Sequence, residues 1–236
     1  MRLSVIVPAH NEEENIVKVI DKIEEALDFE FELIIVDDHS TDKTEELARG
    51  LSAKYPNIRL VKNTDKGCFA NAIKTGFLNT RTDLVVPVMA DLCDDLMSIK
   101  QMLVKIEEGY DVVCASRYIE GGVRIGGSKI KGFLSSLAGW SLFYLSGIPT
   151  HDIANAFKIY RKSVIDAIKT EATGFEISME LALKAYYSGF KITEVPTAWK
   201  EREKGKSNFK ILKLLPSYLK LYLWGLKKRI KNKKDR

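Results

Sequence analysis

An apolar run that ends in carboxylates constrains the fold of this chain more than any other feature. Residues 84–89 are apolar, and Asp91, Asp94 and Asp95 follow directly. Such a run predicts a strand that is buried on both faces, as in a parallel sheet covered by helices. Ligands of open α/β sheets bind just beyond the carboxyl ends of the strands, where acids can hold a hard divalent cation. The alternative is that Asp94 or Asp95 only caps a helix predicted from about residue 96.

Strands and helices alternate over the first half of the chain, which predicts an α/β fold with a doubly wound, mainly parallel sheet. The predicted strands are 3–8, 31–36, 58–62, 84–89 and 111–116, and the predicted helices are 12–27, 41–53, 67–77 and 96–108. Beyond Arg117 the alternation is weaker, with strands at 155–160 and 191–195, helices at 178–187 and 209–230, and loops at 121–127 and 201–208. We therefore expect a catalytic domain over 1–208 and a basic amphipathic helix and tail over 209–236.

The composition fits a cytoplasmic protein with a sizeable core. The 236 residues are 45% hydrophobic and 29% charged, so the chain is not expected to be disordered. Three cysteines without a C-x-x-C pair argue against a disulfide framework, and no signal peptide is expected before the first strand. Residues 132–150 carry no charge and are long enough to cross a bilayer, but their three glycines and four serines favour a buried or interfacial helix.

The charge of the chain is divided unevenly between body and tail. Residues 199–236 contain fourteen Lys/Arg and three Asp/Glu, a net charge of +11, whereas the other 198 residues carry −6. A basic tail predicts an anionic partner, either nucleic acid or membrane headgroups. Positions 211, 215, 218, 222 and 226 share one helical face, which favours a helix at the membrane interface. The alternative is a helix docked on the body, followed by a solvated tail.

Carboxylates follow three successive predicted strands, as Glu12, the pair Asp37 and Asp38, and Asp91. Neither a G-x-G-x-x-G motif nor a P-loop is present, so the phosphate sites of the two commonest nucleotide-binding folds are not expected. Carboxylates accept hydrogen bonds from base N–H groups and ribose hydroxyls, and they bind metal ions. With Arg117 at the next strand end, they predict a nucleoside diphosphate site with a cation between protein and phosphates. Each acid alone could instead be a helix cap or a solvated loop residue.

Several motifs resemble those of a known enzyme family. The segments V-I-V-P-A-H-N-E-E at 5–13 and V-D-D-H-S-T-D at 36–42 resemble the opening motifs of family 2 glycosyltransferases. The segments S-R-Y-I-E-G-G at 116–122 and D-I-A-N-A-F-K-I-Y-R at 152–161 resemble its polyprenyl-phosphate branch, typified by dolichyl-phosphate mannose synthase. Gly-Phe-Glu at 174–176, Glu-Val-Pro at 194–196 and R-E-K-G-K-S at 202–207 complete the series, so the resemblance extends from residue 3 to about 208.

The resemblance implies a glycosyltransferase-A fold that transfers a sugar from a nucleoside diphosphate sugar to a polyprenyl (dolichyl) phosphate, with Mg²⁺ or Mn²⁺ as cofactor. It further implies a peripheral enzyme on the cytoplasmic face of the membrane, bound through its C-terminal helix, without a nucleic acid partner. Asp91, Arg117 and Arg202 are the residues expected to act in catalysis. By position, Pro8, His10, Glu12, Val36 and Asp38 would line the nucleoside pocket, Asp91 would hold the metal, Arg117, Lys131 and Ser135 would face the acceptor phosphate, and Arg202 and Ser207 would close over the donor.

The chain departs from the family pattern at several positions. Met89 stands where the first Asp of the D-x-D metal motif belongs, so Asp94 or Asp95 could supply the missing ligand. His39 replaces a glycine, Asn155-Ala156 replaces Ser-Gly, and Lys131 replaces an arginine, which removes the bidentate fork.

The predicted acceptor sets the chemistry that the site needs. A polyprenyl monophosphate is already an anion and needs no general base, whereas a sugar hydroxyl would require a carboxylate to take its proton. Two alternatives remain open. One is a family 2 transferase that acts on a sugar hydroxyl of a glycan. The other is a catalytically silent nucleotide- or membrane-binding module, which Met89 favours.

Overall fold

The computed structural model describes residues 2–202 and 211–234. Its first half contains β1 (Leu3–Ala9), α1 (Ile16–Ala26), β2 (Phe31–Asp37), α2 (Thr44–Lys54), β3 (Ile58–Lys62), α3 (Phe69–Asn79), β4 (Leu84–Pro87), α4 (Ser98–Glu107) and β5 (Val112–Ser116). The second half contains β6 (Val123–Ile125), α5 (Lys129–Ser146), β7 (Lys158–Arg161), α6 (Lys162–Ala167), α7 (Ile177–Tyr187), β8 (Ile192–Pro196), β9 (Ala198–Lys200) and α8 (Ile211–Lys234).

A seven-stranded sheet with the order β3-β2-β1-β4-β7-β5-β8 forms the centre of the fold. All neighbouring strands are parallel except β7, which runs antiparallel to both β4 and β5. The predicted α/β fold with a mainly parallel sheet is therefore confirmed. Because β1, β2 and β4 are parallel and adjacent, their carboxyl ends lie at one edge of the sheet, and the acids that follow them are brought together there.

The sheet is buried on both faces because its central strands are apolar at successive positions. Val5 and Val7 of β1 pack in one cluster with α1, α2 and α4, whereas Ile6 packs in a second cluster with α3 and α7. Successive side chains of a strand point to opposite faces, so an unbroken apolar run fits only a sheet covered on both sides. Each fully buried aliphatic side chain contributes roughly 1.5–3 kcal/mol to this packing.

Several predicted boundaries are wrong because local turns precede the helices. α1 begins at Ile16 rather than residue 12, since the Glu12 carbonyl accepts the N–H groups of Asn15 and Ile16. α2 begins at Thr44 rather than residue 41, and the Asp42 carboxylate accepts the Thr44 N–H at 2.9 Å. The strand predicted from residue 155 begins only at Lys158.

The sequence patterns do not predict three elements, namely the strands β6 and β9 and the helix α6. The segment 121–127, predicted as a loop, contains β6, which pairs in parallel with β9. The short helix α6, which directly follows β7, was also not predicted. Each strand of the β6–β9 pair has only three residues, too few to show a period of two, so the pairing becomes visible only in the folded chain.

The C-terminal helix α8 packs on the body of the protein. The hydroxyl of Tyr222 lies 3.0 Å from Ser141 Oγ on α5, and the hydroxyl of Tyr187 on α7 donates to the Gly225 carbonyl at 2.7 Å. Tyr218, Trp224 and neighbouring side chains cover a cluster that contains Leu142 and Leu183. The alternative of a docked helix therefore describes this face of α8.

Most of the helical face that the sequence predicts for membrane binding packs against the body. Tyr218, Tyr222 and Leu226 are packed against the body, whereas the exposed apolar row consists of Leu215, Leu219, Leu223 and Ile230. Helix α5 also exposes apolar side chains, as the interfacial interpretation of 132–150 predicts. Within the two described segments, no helix is both long and apolar enough to span a bilayer. The domain boundary at residue 208 stays a prediction.

Candidate active site

A cleft of about 550 Å³ opens at the carboxyl ends of β1, β2 and β4. Nine of the residues predicted to form the site line this one cleft, although they come from six different parts of the chain. They are Pro8, His10, Glu12, Asp38, Asp91, Arg117, Lys131, Ser135 and Arg202.

The remaining predicted residues lie elsewhere. The Val36 side chain is fully buried in the core cluster with Ala70 and Ile73, because the alternation along β2 directs it toward α3. Asp94 and Asp95 do not line the cleft. Ser207 lies outside the described residues.

Three strained turns position the acids of the cleft. Asn11, His39 and Leu92 have φ values of 55°, 59° and 60°, the left-handed region that side chains other than glycine rarely adopt. Each is adjacent to a cleft acid, namely Glu12, Asp38 or Asp91. The first two turns are bonded to each other, since the Thr41 N–H donates to Asn11 Oδ1 at 2.8 Å. The positive φ of His39 explains why a glycine suits this position in the family pattern.

Arg202 joins two of the acids. Its Nη2 lies 2.8 Å from Asp91 Oδ2, and its Nη1 lies 3.7 Å from Glu12 Oε1. Burial raises the pKa of Glu12, the Asn15 hydrogen bond and the Arg202 charge oppose this rise, and the charge of Asp91 adds to it. One guanidinium therefore neutralises part of a negative pocket that comes from the ends of β1 and β4.

The carboxylates of the cleft could hold a divalent cation only together with the oxygens of a bound diphosphate. Within the described residues, no group of three His, Cys, Asp or Glu side chains could hold a metal ion. Asp91 and Glu12 offer hard oxygen donors on the same guanidinium, which suits Mg²⁺ or Mn²⁺ if diphosphate oxygens complete the coordination. The residues present fit such an ion through these two side chains.

Neither acid proposed to replace the missing first ligand joins this set. The Asp95 carboxylate accepts the Met97 N–H at 3.1 Å and the Ser98 hydroxyl at 3.2 Å, so it serves the start of α4. Asp95 thus stabilises the turn before α4, whose N-cap residue is Met97. Asp94 Oδ2 faces the Met89 N–H at 3.5 Å, and burial, followed by the charge of Asp91, raises the pKa of Asp94 to about 7.

The positively charged side chains Arg117 and Lys131 reach the cleft from the end of β5 and from α5. The Arg117 side chain donates to the Asp152 carboxylate from Nε at 2.6 Å and from Nη2 at 2.8 Å, and the backbone N–H of Arg117 donates to the same carboxylate. Burial alone would lower the pKa of Arg117, but the charge and hydrogen bonds of Asp152 raise it above its ordinary value. Lys131 and Ser135 reach the cleft from the first turns of α5, where the helix dipole adds positive potential.

Several cleft residues were not singled out from the sequence. The rings of Phe69 and Phe175 stack with centroids 4.6 Å apart, and the Arg124 guanidinium lies 5.0 Å from the Trp199 ring centroid. Phe175 belongs to the Gly-Phe-Glu motif, which is the only signal that could have identified it. Tyr218 lines the cleft from α8, where its helical position suggested a surface role.

Comparison with solved structures identifies the fold. The glucosyl-3-phosphoglycerate synthase of Mycobacterium tuberculosis, solved with Mn²⁺, UDP and glucosyl-3-phosphoglycerate, superposes with a TM-score of 0.71 at 21% sequence identity. The match covers 97% of this chain and 79% of that protein. The molecule therefore has the glycosyltransferase-A fold that the sequence predicts.

The sequence comparisons then identify the family. The glycosyl transferase family 2 profile matches residues 4–169, so the chain belongs to this family. It is 31% identical to the dolichol-phosphate mannosyltransferase of Pyrococcus furiosus over 95% of its length, and it spans only 64% of that relative. It is 28% identical to the polyprenol monophosphomannose synthase of Mycolicibacterium smegmatis, covering 97% of this chain and 89% of that protein. The predicted family is confirmed, and these relatives support its polyprenyl-phosphate branch.

Proposed function

We propose that the protein transfers a sugar from a nucleoside diphosphate sugar to a polyprenyl phosphate. The observation that carries this proposal is that one cleft is lined by acids from the ends of β1, β2 and β4, called here its acidic part, and by cations from the end of β5 and from α5, called here its basic part. Glu12, Asp38 and Asp91 suit a nucleoside and a cation, whereas Arg117 and Lys131 suit a second, separate anion. A transferase that joins two phosphate-bearing substrates requires both. The names of the two relatives agree with the transfer of a sugar to a polyprenyl phosphate.

The donor would occupy the acidic part of the cleft. Asp38, which lines the cleft, would accept an N–H group of the base, while Glu12 and Asp91 would hold Mg²⁺ or Mn²⁺. When bound, the cation neutralises the diphosphate and stabilises it as a leaving group. A solved structure of the same fold contains Mn²⁺ and UDP, which supports a divalent cation beside a nucleoside diphosphate in this class of enzyme. Arg202 contacts both acids and would follow the charge onto the diphosphate.

The acceptor phosphate would bind at Arg117, Lys131 and Ser135. The bidentate contact with Asp152 fixes the Arg117 guanidinium in one orientation, so its positive charge is preorganised at the cleft wall. A monophosphate is already an anion, so its oxygen can attack the anomeric carbon without a general base. The protein's task is to hold two anions close together and to direct one toward the other.

The long apolar part of such an acceptor requires a surface that meets lipid. Helix α5 contributes Lys131 and Ser135 to the cleft, and the same helix exposes Phe133, Leu137 and Tyr144. The exposed row of α8 lies on a helix that packs against α5. Large exposed apolar patches mark interaction surfaces, and the net charge of +11 over residues 199–236 favours anionic headgroups. We propose peripheral binding at the cytoplasmic face of the membrane.

Transfer of a radiolabelled sugar tests the proposal. The full chain is incubated with Mn²⁺, with labelled GDP-mannose, UDP-glucose or UDP-N-acetylglucosamine, and with either a short polyprenyl phosphate or a soluble glycan. A labelled, chloroform-extractable product is expected from one donor, and Asp91→Asn serves as the inactive control. Label that passes only to a water-soluble glycan would favour the hydroxyl-acceptor alternative. No transfer to either acceptor, together with intact nucleotide binding, would favour the silent module.

A further inference from the structure

A buried asparagine holds the carboxylate that lines the nucleoside part of the cleft. Asn63 directly follows β3 and is only 3% exposed. Its Nδ2 donates to Asp38 Oδ1 at 2.7 Å, which is the shortest and most buried of the three hydrogen bonds that its side chain makes. Asp38 itself is 7% exposed and lines the cleft. Asn63 does not line the cleft, so it acts on a ligand only through Asp38.

The surrounding hydrogen bonds fix the orientation of the Asn63 amide. Its Oδ1 accepts the Asp65 N–H at 3.1 Å and the Thr75 hydroxyl at 3.3 Å. Its backbone N–H donates to the Asp37 carbonyl at 2.9 Å, which anchors the residue beside β2. Because two donors face the carbonyl oxygen, the NH₂ group must face Asp38. An aspartate at position 63 would place a second carboxylate where Asp38 now finds a donor.

The contact leaves the second oxygen of Asp38 for a ligand. A carboxylate presents two oxygens, and Asn63 binds Oδ1. The neighbouring backbone is held as well, since His10 Nδ1 lies 2.6 Å from the Asp38 carbonyl oxygen. A nearly buried carboxylate with one oxygen committed and its backbone fixed is a preorganised acceptor for a single N–H group.

We propose that Asn63 is a positioning residue for nucleobase recognition, which holds Asp38 so that its other oxygen accepts the ring N–H of the donor's base. This inference rests on the proposed function and adds the class of base that the site accepts. Uracil and guanine carry a ring N–H on the edge that pairs with other bases, whereas cytosine carries a bare nitrogen there. A carboxylate opposite that nitrogen would be repelled, so the site selects bases of the first kind.

Binding of four probes to the full chain tests this assignment. UDP, GDP, CDP and pyrophosphate, each with Mn²⁺, are titrated by calorimetry against the wild type, Asn63→Ala, Asn63→Asp and the control Thr75→Val. In the wild type, UDP or GDP should bind more tightly than CDP. Both Asn63 variants lose a hydrogen bond to a charged group, so their affinity for the preferred nucleotide, UDP or GDP, should fall about tenfold to a hundredfold. Pyrophosphate affinity should stay within about twofold, because it does not contact Asp38.

The control separates positioning from stability. Thr75→Val removes the longer of the two bonds to the Asn63 carbonyl, and the Asp65 N–H at 3.1 Å still fixes the amide, so the preference for UDP or GDP over CDP should stay unchanged. If Asn63→Asp does not fold, Asn63→Ala decides the question. In an Asp38→Asn background, Asn63→Ala should cause no further loss of base preference.

Two results would overturn the inference. A folded Asn63→Ala protein with the wild-type preference would show that Asn63 does not position Asp38 for the base. A wild type that binds pyrophosphate as tightly as every nucleotide would instead refute the nucleoside site itself, and with it the proposed function.

Discussion

Replacement of Arg202 by methionine should increase the affinity of the protein for Mn²⁺ in the absence of nucleotide. The Arg202 guanidinium lies 2.8 Å from Asp91 Oδ2 and 3.7 Å from Glu12 Oε1, the two oxygens that a cation would need. A metal ion that binds Asp91 Oδ2 must therefore displace Arg202. Methionine keeps a flexible, unbranched side chain but lacks the guanidinium and its charge, so it leaves both carboxylates to the ion.

The structure allows an estimate of the effect. Two unit charges 4 Å apart attract by about 4 kcal/mol at an effective dielectric constant of about 20. The Arg202 and Asp91 side chains are 18% and 13% exposed, and desolvation offsets part of this attraction. A hydrogen bond between charged groups is worth about 1.5–3 kcal/mol net, so the Mn²⁺ affinity should rise about tenfold to a hundredfold.

Electron paramagnetic resonance of free Mn²⁺ provides the assay, because the signal falls as the ion binds. Arg124→Met is the matched control, since Arg124 also lines the cleft but packs on the Trp199 ring instead of the two acids. Arg202→Met should also slow sugar transfer, since the diphosphate loses a cation. Unchanged or weaker Mn²⁺ binding in Arg202→Met would refute the idea that Arg202 and the metal compete.

Three further predictions follow from the cleft and the exposed helices. Asp91→Asn should abolish transfer without changing the circular dichroism spectrum, because the amide keeps the shape but loses the charge; full activity in excess EDTA would contradict a metal at this position. Arg117→Lys should raise the acceptor KM and lower the unfolding free energy by about 1–3 kcal/mol, since one ammonium cannot replace the bidentate contact with the buried Asp152. A thermal melt measures the change in stability, and a loss confined to donor binding would contradict the acceptor role. Leu219→Glu should weaken cosedimentation with anionic liposomes at low salt while the melting temperature stays constant, because Leu219 is 51% exposed, and the buried Leu183→Ala is the contrasting control.

The parts of the site that could be predicted from sequence depend on local patterns. The apolar strand from Leu84 and the acid after it are adjacent in sequence, so strand burial and the position of Asp91 could be inferred together. The same holds for Glu12 after β1 and for Asp38 after β2. Parallel strands with a common edge then bring these local signals to one place, and nine predicted residues share the cleft.

The parts that could not be predicted depend on contacts between distant segments. Asp95 looks like a metal ligand in the sequence, but its distances to Met97 and Ser98 assign it to α4. Val36 occupies a motif position, yet the strand alternation turns its side chain into the core. The pairing of Asn63 with Asp38 joins residues 25 positions apart, and neither residue type reveals its partner.

Helix α8 contributes both to the cleft and to the exposed apolar surface that is proposed to bind lipid. Its inner face supplies Tyr218 to the cleft and covers Leu142 and Leu183, whereas its outer face exposes Leu215, Leu219 and Leu223. Removing the whole helix would therefore expose core residues and change the cleft as well as the lipid-facing surface. Single substitutions on the outer row are the cleaner perturbation, because they change the exposed face while Tyr218 and the packed residues stay in place. A lipid-bound α8 would hold the cleft at the membrane surface, where the phosphate of a membrane-embedded acceptor lies.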